Sequence, residues 1–293
     1  MTARWSTRQP FLSEAFSNTS VGTGLVTDRR SVMTSTLKLN STALNCARWS
    51  FPVYEAAYSD PTWTIVDDNG RSFTLQIPDT AAAAEGTDQH MSIVQPDRRT
   101  DFEMWGARKT SSGWDARYVV KTDLLSSGMT GGARASAISH LHGLIRTEEV
   151  AALHIPHTLA MGIGNNQLKS GYVWPARSQD GDGVNAYTGT IPMGTMFVIP
   201  RTVDIDSLGL SPEGRALAWT LQNYGAHVLL RAGPAALFAE TEAEAKYPAK
   251  IDAMRSAWVA LRPLMEVVTN NTADNVAGGG ARLQPTLGEV VAK

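Results

Sequence analysis

The histidines and a few carboxylates carry most of the chemistry this chain could perform. Four of the six histidines fall between His140 and His157, as His140-Leu-His142 and His154-Ile-Pro-His157. Imidazole suits zinc and related ions. These spacings match no known ligand pattern, however, and neither a His-Glu-x-x-His helix nor paired cysteines accompany them, so neither a metal nor a cofactor is expected. A second constellation is Asp88-Gln-His90 followed by Asp101-Phe-Glu-Met-Trp105. If His90 and Asp101 lie on adjacent strands of one hairpin, cross-strand pairing sets imidazole beside carboxylate. Such a pair holds a proton near neutral pH, as a general acid or base requires. The structural alternative is an Asp-His pair that only fastens the hairpin.

Aromatic residues add a third feature. Of the eight tryptophans, Trp63, Trp105, Trp114 and Trp174 adjoin polar or turn residues, and an indole face packs against the C–H bonds of a sugar ring. Trp174 precedes the turn Asp180-Gly-Asp182-Gly, whose oxygens could also hold calcium, although they fill only part of an EF-hand loop. Gly162-Ile-Gly164 lacks the third glycine of a dinucleotide fingerprint. Neither a phosphate loop nor a nucleophile elbow is present.

The elements that must position these groups read as mainly β. Thr62–Val66 and Ser72–Gln76 flank Asp68-Asn-Gly70, a turn that supplies positive φ at its centre and predicts a hairpin. Further short runs begin at Phe51, His90, Asp101, Ala116, Tyr172, Met196 and His227. Short strands broken by Gly, Pro and Asp predict an antiparallel β-sandwich or jelly roll with a few peripheral helices. The helices are expected at Ala133–Leu144, at Pro212–Tyr224 with Ser211 as cap, and across Thr241–Val268 with Pro248 and Pro263 interrupting. The expected division is a sandwich domain over 1–269 and a flexible Gly/Asn-rich linker with a C-terminal arm over 270–293.

Composition narrows the function classes. Lysine plus arginine number 26 against 28 acids, a net charge of -2, so there is no basic surplus to neutralise a phosphate backbone. Nucleic acid is thereby a poor partner. No run of about 18 apolar residues predicts a membrane span. The lone Cys46 reads as a small core residue. Met1–Arg8 is polar and lacks the apolar stretch of a secretory signal, so release with a virus particle at lysis is the expected route outside the cell.

Several landmarks resemble a family of jelly-roll-like proteins, secreted or carried by phages, of actinobacteria and their viruses. They include Trp49-Ser-Phe-Pro-Val-Tyr54, Asp88-Gln-His90, Asp101-Phe-Glu-Met-Trp105, Gly143-Leu-Ile-Arg146-Thr-Glu148-Glu149, His154-Ile-Pro-His157, Tyr172-Val-Trp-Pro-Ala176 and Leu221-Gln-Asn-Tyr-Gly225. The resemblance implies binding or cutting of polysaccharide, with His90, Asp101, Arg146, Glu148, His157 and Trp174 around one cleft. On it rests the expectation of a minor tail or tail-tip protein that meets glycans of an actinobacterial surface alongside other tail proteins. Were it to cleave them, His90 or His157 would be the base, Asp101 its orienting partner and Glu148 the proton donor. Trp105, Arg146, Trp174 and Asp180 would bind substrate, with Arg146 steadying an acidic sugar. The alternatives are a structural tail protein, assembled as a homo-oligomeric ring, and a secreted bacterial polysaccharide hydrolase or lyase.

Overall fold

The computed structural model describes residues 3–293. Its centre is a seven-stranded sheet, running in order Thr27–Asp28, Glu266–Val268, Met196–Val198, Ala226–Arg231, Leu159–Ile163, Ala235–Phe238 and Thr42–Asn45. A smaller sheet runs Tyr118–Asp123, Thr100–Trp105, Met91–Val94 and Val53–Glu55. The chain is thus mostly sheet with a few helices. The pairing departs from an antiparallel jelly roll. Leu159–Ile163 pairs parallel with Ala226–Arg231, as do Ala235–Phe238 with Thr42–Asn45 and Val53–Glu55 with Met91–Val94.

Period-two alternation sorts the large sheet's side chains into two cores. Leu159, Met161, Ile163 and Leu237 pack with Leu217, Leu221, Ile251, Met254 and Trp258 of the helices Pro212–Asn223 and Pro248–Leu261. Ala160, Leu229, Ala236 and Phe238 enter a second cluster with Phe11, Phe51, Val94 and Leu124, toward the smaller sheet. The smaller sheet's apolar face, with Met91, Ile93, Phe102, Met104 and Val119, packs against Ile65 and Leu75 of the hairpin Thr62–Val66/Ser72–Gln76. Its opposite face is polar, carrying Ser92, Asp101, Glu103 and Thr122, all fully buried.

What covers that polar face is Ala133–Leu144, which is not the expected helix. Glu103 accepts from the Ala133 and His140 amides, each at 2.9 Å. The Arg134 guanidinium donates to the carbonyls of Ser139, His140 and His142. These side chains take the backbone partners that helical turns would otherwise supply, and Ala137 adopts a left-handed φ of 56°.

The other two helical expectations fare differently. Pro212–Asn223 is helical, with Ser211 accepting from the Gly214 amide at 3.1 Å. The composition of Thr241–Val268 resolves into Thr241–Lys246, Pro248–Leu261, a 3-10 turn and the strand Glu266–Val268, with Pro248 at a helix start. The stretch expected as a linker and arm folds back on the N-terminal segment. Val290–Val291 pairs parallel with Arg4–Trp5, and the Leu283 amide donates to the Val21 carbonyl. Gly278, Gly279 and Gly280 all take positive φ, and a Cβ on Gly22 would stand 1.8 Å from the Gly279 carbonyl oxygen. Here glycine permits a close backbone approach.

Candidate functional site

A cleft of about 400 Å³ opens where the ends of the two sheets meet. One wall is the smaller sheet, where Trp105 and Tyr118 are directly paired across strands. Asp88 stands just before the strand Met91–Val94, its backbone held by the Gly106 amide donating to its carbonyl at 2.8 Å. The following residue, Gln89, has a φ of 48°, a conformation that costs free energy for a side-chain-bearing residue. The facing wall is the Ser178–Gly181 loop together with Leu230 and Arg231 from the end of a large-sheet strand. Gly132 and Ala133 line the rim.

Two carboxylates face this space. Asp88 is partly buried, and its acidity is weakened first by burial and then by the negative charge of Asp180, while the Trp105 indole N–H and Arg231 pull the other way. Asp180 is ion-paired with Arg231 at 3.4 Å and accepts from the Tyr187 hydroxyl. Arg231 also holds Asp182, donating to its two oxygens at 3.0 and 2.9 Å. The Asp180/Asp182 turn, read above as a turn or a calcium loop, therefore wraps a guanidinium. Among the described residues, no three His, Cys, Asp or Glu side chains are grouped to hold a metal.

Trp105 is anchored by a cation–π contact. The Arg117 guanidinium lies 4.4 Å from its ring centre, which helps fix the indole's orientation. Tyr118 is likewise covered by Arg71 at 4.7 Å.

Of the eight residues expected around one cleft, three line it: His90, Trp105 and Asp180. His90 is almost wholly buried at the base, and burial, reinforced by the Arg134 charge, pushes its imidazole down to about 3. It is neutral and feebly basic at ordinary pH, and its Nδ1 has no hydrogen-bond partner. The expected His90–Asp101 pair does not form. The register sets Asp101 opposite Val94, four residues along from His90, which is roughly 13 Å on a strand. Asp101 is sealed beneath the sheet with neither oxygen hydrogen-bonded. Burial and then the Glu103 charge raise it well above the usual carboxylate range.

The other expected groups go elsewhere. Glu148 is half-exposed, 3.8 Å from Arg8, on a separate cavity of about 450 Å³. Arg146 also borders that cavity, but its guanidinium is buried and committed: Nε meets Glu240 at 2.6 Å, and its other nitrogens donate to the Thr7 and Arg8 carbonyls. His157 is buried, with Nε2 3.0 Å from Glu149 and Nδ1 2.7 Å from the Thr158 carbonyl. Trp174 packs against the second core with its ring edge-on to Phe16. Of the clustered histidines, His142 is stacked on Phe11 at 4.0 Å and bonded to Ser17.

Three cleft residues had little or no signal in the chain. Asp88 was visible only as a neighbour of His90. Tyr118 begins one ordinary strand and Arg231 ends another, and only pairing brings them here. No protein-family model, curated protein or solved structure matches the chain.

Proposed function

We propose that the protein is a glycan-binding protein working outside the cell, in the manner of a phage tail-tip component, with the cleft between Trp105 and Asp180 as its sugar site. The observation that carries this is the pairing of a fixed indole and phenol, Trp105 and Tyr118, with the carboxylates Asp88 and Asp180 in one cavity. Flat aromatic faces take the C–H side of a sugar ring, and carboxylates accept from its hydroxyls. A cavity of about 400 Å³ falls within the size of small-ligand sites.

The reading is one of binding. His90, Asp101, Glu148 and His157, the groups expected to move protons, occupy different parts of the molecule. Placement at a phage tail rests on the motif resemblance, and the glycan reading rests on the cleft.

The test is an array of bacterial surface glycans probed with the purified chain, followed by titration of the best binder. Trp105→Ala should weaken binding at least tenfold, with folding checked by circular dichroism. An array with no binder, or a Trp105→Ala variant of unchanged affinity, would sink the proposal.

A further inference from the structure

The cleft's charged groups say which sugars it takes, a deduction that rests on the glycan reading above. Among the described residues, two guanidiniums line the cavity. Arg134 is buried, donates through its terminal nitrogens to the carbonyls of Ser139, His140 and His142, keeps an unpartnered buried Nε, and lies over the Phe51 ring at 4.7 Å. Arg231 is held between Asp180 and Asp182. Among the described residues no lysine lines the cleft, and the one histidine there, His90, is neutral. An incoming uronate or phosphate would meet two carboxylates, with Arg231 ion-paired and Arg134 sealed in the interior, so its desolvation would go poorly compensated.

A cation meets the opposite situation. Asp88 has no salt bridge within the chain among the described residues, and it is partly buried beside the Asp180 charge. An ammonium placed there relieves that repulsion and gains a charge-assisted hydrogen bond. His90, more than nine-tenths buried at the base with an unpartnered Nδ1, adds a neutral polar group to the same cavity.

From this geometry we infer that the cleft selects glycans bearing a free amino sugar over neutral ones and rejects acidic ones, with Asp88 as the group that reads the amine. The specificity is electrostatic, because Trp105 and Tyr118 treat all three classes alike.

The experiment sorts array glycans into neutral, amino and uronic members of matched length and titrates each below the pKa of the sugar amine. Amino members should bind at least tenfold tighter than neutral ones, and uronic members should not bind measurably. Asp88→Asn should erase the amino preference, bringing the ratio of amino to neutral affinity from at least tenfold to near one. Uronic glycans binding as well as neutral ones, equal affinity for amino and neutral members, or a preference that survives Asp88→Asn would overturn the inference and leave the glycan site standing. Absence of binding in all three classes would instead remove the glycan site itself.

Discussion

Arg146 separates a structural role from a ligand-binding one. Its guanidinium is buried with Glu240, both side chains under a tenth exposed, at 2.6 Å. It also donates to the Thr7 carbonyl at 2.7 Å and the Arg8 carbonyl at 3.2 Å, tying the N-terminal segment to the body. Glu240 in turn accepts from the Thr147 amide and hydroxyl at 2.7 and 2.9 Å. Arg146→Met removes the cation and leaves a buried carboxylate uncompensated, which costs about 3–5 kcal/mol. With a urea slope of about 3 kcal/mol/M, the unfolding midpoint should fall by about 1 to 1.7 M. Adding Glu240→Gln deletes the stranded charge yet keeps an acceptor for Thr147, so the double variant should recover at least half of the loss, a coupling that a double-mutant cycle measures directly. Glycan affinity at the Trp105 cleft should be unchanged in any folded variant. A single variant that unfolds at the wild-type midpoint but no longer binds glycan would refute this reasoning and return Arg146 to the substrate site.

Three other outcomes follow from the same structure. His90 and His227 are each pushed down to about 3 by burial, below the roughly 6.5 of an unfolded chain. The unfolded state therefore binds more protons as pH falls below 6.5, and each group should cost about 2 kcal/mol at pH 5. A urea midpoint that stays flat from pH 7 to pH 5 contradicts this. His157 runs the other way: burial works to lower its pKa, but Glu149 at 3.0 Å outweighs burial and raises it. Its contribution is complete below about 6.5 and is lost as pH rises through the elevated folded value, so His157→Gln should lower the melting temperature more at pH 5.5 than at pH 9. Gly132→Ala places a Cβ 2.0 Å from the Ile138 carbonyl carbon, and the forced backbone shift should cost about 1–3 kcal/mol and weaken cleft binding; an unchanged midpoint and affinity would show that the loop gives way freely.

Local chemistry was legible wherever neighbours in sequence do the work. The Asp68-Asn-Gly70 turn does join Thr62–Val66 to Ser72–Gln76, with Gly70 at a φ of 75°. Ser211 and Pro212 do start a helix, and Gly225 follows its end with a φ of 70°. Asp101–Trp105 is a strand, and its partner does begin just after His90. What alternation could not convey was which face of that strand would be buried polar. Asp101 and Glu103 look like solvent-facing positions, yet both are sealed by a loop that uses Glu103 in place of helical hydrogen bonds.

The residue order alone determined where short strands, turns and the capped helix form, because these depend on backbone preferences and contacts within a few residues. Tertiary structure decided the strand neighbours, the parallel pairings, the register that parts His90 from Asp101 and the return of the C-terminal segment to Arg4–Trp5. It also decided that Asp88, Trp105, Tyr118, Asp180 and Arg231 share one cleft. These outcomes depend on burial and charge balance between segments far apart in the chain, and spacing carries no record of which distant groups will meet.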